Sequence, residues 1–475
     1  MAVAIEWANV LRERVMDSFL QSAREYLEQL AVMPLELRIP LSVMMFLEFA
    51  IWGAWFVVLG NYLNALNFSR TQIARVYATM PIGAIISPMF IGTIADQYFN
   101  AEHVMAVSHL LGGCLLIWLA QIRTPLAFFW VALAYALVYS PTLSLVNSIM
   151  FEGARGYPTI AQEIRDQFPT VRVLGTIGWI AAGMSLKLFI KPGQPMNNRP
   201  ILLAAGLSLA LGAYSFALPA TLPGAVRAEQ DHEAAIEELE AQRDAGEIDQ
   251  AEFDRQQVGA DEQLESSRGI AFLRAVGMFK DPDAAVFFIA SLIIAMAMAV
   301  YFAFAALYLE QGAKVKPENI GPVMTLGQWV EIFFLFTLTW FIDKWGMNTV
   351  LIIGMSAWAL RFAIFAARPP FALIAIGIAL HGICFDFFFA AGMMNTDRIA
   401  PSGIANSAQS LYGVLVYGLG MWLGTEAAGW LNQSFTQETV DPVTRQTTRV
   451  TDWTKFWIIP CLGVVAALAV YLIFA

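Results

Sequence analysis

A long apolar stretch, residues 371–395, constrains the fold of this chain more than any other feature. It exceeds the roughly 20 residues that a helix needs to cross a bilayer. Two ionisable side chains, His381 and Asp386, lie near its middle. A carboxylate at membrane depth costs about 2.5–3.5 kcal/mol on insertion scales, so it persists only where it faces protein or a water-filled cavity. The stretch therefore predicts one wall of a solute or proton pathway.

Composition places the whole chain in the membrane class. Of its 475 residues, 58% are hydrophobic and 14% charged, whereas a soluble domain is about half apolar and a quarter charged. The three cysteines lie in separate apolar segments, so we expect neither a disulfide framework nor a metal site. No P-loop, metal cluster or nucleophile triad occurs in the sequence, so we expect no enzyme activity, no cofactor and no nucleic-acid partner.

Apolar segments separated by polar loops predict an all-α membrane protein with twelve transmembrane helices. The predicted spans are 40–64, 72–95, 103–122, 126–150, 171–190, 201–219, 284–309, 320–342, 349–367, 371–395, 405–430 and 455–475. An even number of spans places both termini on one side. Basic loop residues favour the cytoplasm for that side, with the chain multi-pass in the inner membrane.

Polar segments flank these spans at the N-terminus and at the centre of the chain. Residues 1–38 have apolar positions at helical spacing, which indicates an amphipathic cytoplasmic helix or, alternatively, a solvated tail. Residues 221–283 form an acidic linker, in which 228–267 hold 14 acidic and 2 basic side chains. Gly246 is placed to cap the first of two short helices there. This predicted hairpin is either a solvated linker or a surface for a partner.

The two halves of the chain repeat. Arg123-Thr-Pro recurs as Arg368-Pro-Pro, and the stretch that ends at Asp96 recurs, at nearly the same offset, as the one ending at Asp343 and Lys344. Duplication predicts two pseudo-repeated six-helix bundles, 39–220 and 284–475, with a site near mid-membrane between them. We expect Asp96, Asp343 and Lys344 to tie helix ends together in one transport state.

Polar residues inside the spans are the candidates for that site, because each has to be buried, paired or wetted. Arg172, Thr176 and Trp179 share one stripe of the fifth span. Together they could bind a polar ring, although Arg172 could instead extend to the membrane surface. Glu48 in the first span either faces the cavity as a proton site or makes a structural hydrogen bond.

The eighth and tenth spans supply the opposite wall. Gln328 and Glu331, three residues apart, share a side of the eighth span. A structural ion pair of Glu331 with Arg361 is the alternative to a binding role. In the tenth span, His381 and Phe385 share a face and Asp386 lies at its edge. A buried histidine is often structural, but the neighbouring carboxylate favours function.

Several stretches resemble one family. They are Phe168-Pro-Thr-Val-Arg-Val-Leu-Gly-Thr-Ile-Gly, Gln328-Trp-Val-Glu, Ala357-Trp-Ala-Leu-Arg-Phe-Ala-Ile-Phe-Ala and Cys384-Phe-Asp-Phe-Phe. They are similar to the nucleoside:proton symporters of the major facilitator superfamily. The resemblance implies a pocket built from helices five, seven, eight and ten. It places the candidates Arg172, Thr176, Trp179, Gln328, Glu331, Phe385 and Asp386 there. It also implies a tyrosine where this chain has His381, and polar amides where it has Ala299 and Phe302.

The expected function is secondary active transport: proton-coupled symport of a nucleoside or similar solute by alternating access, with the protein as a monomer. Glu331 or Asp386 would take the proton, because burial disfavours a charged carboxylate. The apolar Ala299 and Phe302 favour an alternative, transport of another polar solute such as a sugar, by symport or uniport. A membrane receptor or sensor that does not transport is a third possibility.

Overall fold

The computed structural model describes residues 33–87, 99–160, 164, 168–267, 275–400, 405–440 and 447–474. The predicted N-terminal amphipathic helix lies almost entirely in residues 1–32, which are outside the described residues. Asp96 is also outside the described residues. In the described part, helices occur at all twelve predicted spans and in the linker, and one short antiparallel sheet lies between the last two spans.

The first half consists of six helical stretches. They are α1 (Leu35–Ala65, composed of Leu35–Trp55 and Leu59–Ala65), α2 (Arg70–Ser87), α3 (Ala101–Leu119), α4 (Pro125–Tyr139 and Thr142–Arg155), α5 (Phe168–Phe189) and α6 (Arg199–Ser215). A 3-10 turn, Pro158–Ile160, follows α4. Within this half, α1 packs against α5 and α6, α3 against α6 and α4, and α2 against α4.

The linker and the second half follow. The linker contains α7 (Gly224–Asp244) and α8 (Gln250–Ser267), and the 3-10 turn Gly277–Lys280 precedes the second half. The second half consists of α9 (Pro282–Gln311), α10 (Pro317–Met324 and Leu326–Trp345), α11 (Met347–Ala367), α12 (Phe371–Ile399), α13 (405–434), β1 (Thr436–Val440), β2 (Thr447–Thr451) and α14 (Trp453–Phe474). Here α9 and α11 pack against α14, α13 against α9, and α10 against α12.

Nine helices among the described residues are long and apolar enough to cross a membrane. The remaining three predicted spans correspond to α2, the shorter α6 and the irregular α13. The fold is therefore that of a multi-pass membrane protein, and the count of twelve spans remains a prediction. In the linker, α7 packs against α8 after a turn at Gly246, whose φ of +74° suits glycine.

Small residues determine how closely the helices of each bundle approach. A Cβ at Gly178 on α5 would overlap the carbonyl of Phe46 on α1, and one at Gly83 would lie 2.7 Å from Ala136 O. Close packing of this kind replaces the hydrophobic driving force that helices lack in lipid. These glycines therefore permit close contact between the helices.

The two ends of the bundles can be distinguished by what they carry. We call the end at which α7 and α8 leave the bundles the linker face, and the opposite end, which carries β1 and β2, the hairpin face. At the hairpin face, polar contacts join the two halves. Asn61 Nδ2 donates to Ala306 O at 3.1 Å, Arg70 Nη2 to Gln311 Oε1 at 2.9 Å, and Arg449 Nη1 of β2 to Phe68 O at 2.7 Å. The bundles are closed against each other at this face.

Candidate functional site

The stripe of polar residues on α5 faces the second bundle. Thr176 Oγ1 donates a long hydrogen bond, 3.5 Å, to Glu331 Oε1 of α10. One turn away, the Arg172 guanidinium carbon lies 3.9 Å from the ring centroid of Phe49 on α1, a cation–π geometry. The structure therefore brings Arg172 and Thr176 from one half next to Glu331 from the other.

Two glycines bring α10 and α12 together at the depth of Glu331. A Cβ at Gly382 would lie 2.6 Å from Glu331 N, and a Cβ at Gly327 would lie 2.6 Å from the Cβ of His381. Any side chain at either position would push the helices apart. The distance between Glu331 and His381 is therefore determined by backbone packing.

The helix α12 is irregular where its functional candidates lie. It runs as Phe371–Ala379, breaks at Leu380, continues as His381–Phe385 and then forms a π-helical turn at Asp386–Ala390. Single π turns inside α-helices are frequent at functional sites, and the wider turn changes the direction of the following side chains. Asp386, the first residue of that turn, is 1% exposed.

Three buried polar atoms of the candidate helices, on α12, α10 and α1, have no hydrogen-bond partner in the described part of the chain. They are Asp386 Oδ2, Gln328 Oε1 and Trp52 Nε1. Leaving such an atom unpaired costs about 1–3 kcal/mol. Unpaired donors and acceptors on both halves indicate a place where a polar ligand or a proton would be stabilised.

The predicted alternative pairing of Glu331 with Arg361 is wrong, because His381 lies between them. Arg361 Nη1 is 3.3 Å from His381 Nδ1, and His381 Nε2 is 3.9 Å from Glu331 Oε2. The three side chains come from α11, α12 and α10. They form a row that leads from the interior of the second bundle to the interface between the halves.

Sequence analysis missed four aromatic residues near the site. Trp52 packs on Trp179 with ring centroids 5.4 Å apart, and Phe49 lies under the guanidinium of Arg172. Tyr417 of α13 is within electrostatic range of Arg172 and Glu331. Tyr301 of α9 stacks on His381 at 5.7 Å. The spacing of Phe49 and Trp52, three apart on one helix face, could have indicated the first two.

The two apolar positions of α9 differ in their surroundings. Ala299 is fully buried where α9 meets α13, and a Cβ at Gly424 would lie 2.7 Å from its methyl group. Phe302 has its ring centroid 5.9 Å from that of His381 and 6.5 Å from that of Phe56 on α1. Of this pair, Phe302 is therefore the residue that lies between the halves. Phe385 also packs on His381, with centroids 5.6 Å apart.

Glu48 is fully buried inside the first bundle. One carboxylate oxygen lies 2.8 Å from His109 Nε2 on α3, and the other accepts from Thr142 Oγ1 at 2.7 Å. Ser208 Oγ of α6 lies 3.3 Å from His109 Nδ1. These contacts favour the structural alternative, in which Glu48 joins α1, α3 and α4, and its assignment to proton coupling remains a prediction.

We expect Glu48→Leu to lower the melting temperature, because it leaves His109 buried without its partner. Leaving a buried polar group without its hydrogen-bond partner costs about 1–3 kcal/mol. Thermal unfolding of the purified protein in detergent measures this loss. Glu48→Gln, which keeps the shape and one acceptor, separates the alternatives: if its folded protein loses the response to a pH gradient, Glu48 is a coupling residue.

The residues predicted to tie helix ends together lie at the linker face. Asp343 and Lys344 are exposed in the last turn of α10, just before Gly346. Gly346 has a φ of +81°, which allows the sharp turn into α11. With Asp96 outside the described residues, the role of all three in a transport state remains a prediction.

Comparisons with known proteins agree with this arrangement. A family model described as the nucleoside H⁺ symporter matches residues 33–243 and 257–475. The chain is 32% identical over 449 residues to YegT of Escherichia coli (strain K12), named a putative nucleoside transporter, covering 91% of this chain and 92% of that protein. It is 30% identical to the xanthosine permease of the same organism, covering 88% of this chain and 91% of that protein.

The solved structures agree with the sequence comparison. The crystal structure of the nucleoside transporter NupG superposes with a TM-score of 0.72 at 26% identity, covering 92% of this chain and 98% of that one. The expected fold of the major facilitator transporters is thereby confirmed, while the division into two bundles of six spans remains a prediction. The chain is a multi-pass inner-membrane transporter and belongs to the nucleoside H⁺ symporter family.

Proposed function

We propose that this protein carries a nucleoside and a proton together across the membrane, by alternating access of a site between its two bundles. The observation that supports this most directly is the contact of Thr176 with Glu331, next to Arg172. It places a hydroxyl, a cation and a carboxylate from opposite halves in one place. A solute bound there would touch both bundles, so their relative movement would change which side it can reach.

The proton would be carried by Glu331 or Asp386. Asp386 is deeply buried, and one of its oxygens lacks a partner. A charged carboxylate is costly to bury without a partner, and a proton would both remove the charge and supply a donor. Neutral carboxylates would let the bundles close around a dry site, so proton binding and closure would be linked.

A flat heterocyclic ring fits the aromatic residues that surround these polar groups. Trp52, Trp179, Phe385 and Phe302 offer ring faces, while Gln328 Oε1 and Trp52 Nε1 are unpaired. The names of the relatives, nucleoside and xanthosine carriers, agree with such a solute. The apolar Phe302 favours the second candidate, a different polar solute such as a sugar. Flux of solute through the purified protein would exclude the receptor alternative.

We further propose that the linker face is cytoplasmic and that a monomer is sufficient. Basic loop residues support this orientation by the positive-inside rule. One chain supplies both walls of the site, which supports the monomer. Closure of the hairpin face would then correspond to a state closed to the outside.

Uptake by proteoliposomes tests the proposal. With an inward proton gradient, we expect labelled purine or pyrimidine nucleosides to accumulate and unlabelled nucleosides to compete. Free sugars and free bases should compete weakly, because neither fills both the polar and the aromatic parts of the site. Competition by sugars alone would support the second candidate, and absence of flux for every solute would contradict transport.

A further inference from the structure

Arg361 is a buried cation that the proposed transport step does not use. Its side chain is fully buried, and no described carboxylate lies within 4.0 Å of it. Its Nε donates to Gly377 O at 2.9 Å, and its guanidinium carbon lies 4.4 Å from the ring centroid of Tyr301 and 4.7 Å from that of Trp358. Carbonyl oxygens and ring faces thus stabilise a charge that has been brought deep into the second bundle.

The contact of Arg361 with His381 determines which ring nitrogen of His381 carries the proton. A guanidinium has N–H groups only and can donate but not accept. At 3.3 Å, His381 Nδ1 is therefore the acceptor and carries no proton. A neutral imidazole then has its proton on Nε2. Protonating Nδ1 would place an N–H against the guanidinium and add a second buried positive charge beside it.

The protonated nitrogen of His381 points at Glu331. Nε2 lies 3.9 Å from Glu331 Oε2, too far for a hydrogen bond but close enough for one after a small rotation of either side chain. The imidazole ring is held by its stack on Tyr301, and Gly327 and Gly382 hold the two helices close together. The Nε2–H donor of His381 is therefore already held next to Glu331 when Glu331 is ionised.

We infer that Arg361 is a positioning residue for proton coupling, which holds His381 as the neutral, Nε2-protonated tautomer so that His381 offers an N–H donor to Glu331. The inference rests on the proposed function. It assigns His381 the role of a fixed donor, so that Glu331, and not His381, exchanges the proton.

Other charged or titratable groups also face Glu331. On α5 this is Arg172, on α12 Asp386, and on α13 Tyr417, whereas Tyr301 of α9 faces His381. These side chains stay in place when Arg361 or His381 is replaced, although Tyr301 loses a contact with the replaced residue. A donor to Glu331 stabilises its ionised form, so losing the donor lets the carboxyl keep its proton to higher pH.

The pH dependence of uptake tests the inference. We expect Arg361→Met and His381→Phe each to raise the external pH of half-maximal uptake by about one pH unit. The double variant should shift no further, because Arg361 acts through His381. His381→Gln keeps an N–H donor and should keep the wild-type midpoint. Arg255→Met, at an exposed position in the linker, is the matched control for loss of an arginine.

A purely structural role for Arg361 would lower the maximal rate and leave the midpoint unchanged, and that result would overturn the inference. Nitrogen-15 NMR of labelled histidine provides a readout that does not need transport. The chain has 4 histidines, so the His381 signal is identified by its absence in His381→Gln. We expect a bare Nδ1 between about pH 5 and 8 in the wild type, and loss of that state in Arg361→Met, which has no N–H donor in its side chain. A protonated Nδ1 in the wild type would also overturn the inference.

These results are separable from failure of the proposed function. If Glu331→Gln keeps its response to a pH gradient, Glu331 does not carry the proton whatever the NMR spectrum shows, and the proposed function then depends on Asp386. If Glu331→Gln loses that response while Arg361→Met keeps both the wild-type midpoint and the wild-type tautomer, only the role of Arg361 is wrong.

Discussion

Glu331→Gln is expected to abolish concentrative uptake while exchange of substrate across the membrane continues. The amide keeps the shape of the side chain and can still contact Thr176 and the solute, but it cannot bind or release a proton. One charge moving through 100 mV contributes about 2.3 kcal/mol, which is roughly a 50-fold accumulation. We therefore expect the accumulation ratio in proteoliposomes to fall from that order to about 1.

The matched control is Glu426→Gln in the same bundle. The Glu426 side chain is 44% exposed and lies 4.0 Å from Arg75 of α2. It should keep accumulation near the wild-type level. If Glu331→Gln still accumulates solute when a pH gradient is imposed, Glu331 does not carry the proton and Asp386→Asn becomes the decisive variant.

Gly321→Leu is expected to prevent the hairpin face from closing. A Cβ at Gly321 on α10 would lie only 2.6 Å from Gly183 O on α5, so the two bundles meet there through glycine backbones. Overpacking costs about 1–3 kcal/mol, and here the cost falls on the closed arrangement alone. The ratio of the closed to the open state at this face should fall about 5- to 150-fold, and the rate of uptake should fall by a comparable factor.

Gly206→Leu is the control for this substitution, since a Cβ at Gly206 on α6 meets nothing within 4 Å. Labelling with an impermeant maleimide reports opening at the hairpin face, in an Ala306→Cys background that lacks the three native cysteines and keeps the backbone oxygen to which Asn61 donates. Gly321→Leu should raise the labelling rate and Gly206→Leu should not. Normal uptake with unchanged labelling in Gly321→Leu would show that this contact is not required for closure.

The sequence by itself determined the class of the protein and supplied most of the candidate site residues. Charged groups are too costly in lipid to occur at random in apolar spans, so Arg172, Glu331 and Asp386 could be recognised without a structure. The duplicated motifs around Arg123 and Arg368 indicated two bundles, and hence that these residues come from opposite walls.

Only the tertiary structure decided which polar residue faces which neighbour. The rotation of each helix, its breaks and its closest approaches depend on packing between segments far apart in sequence. The break at Leu380 and the π turn at Asp386 are of this kind, because local residue preferences do not specify them. For the same reason, sequence spacing could not reveal that Glu48 bonds to His109, or that His381 separates Arg361 from Glu331.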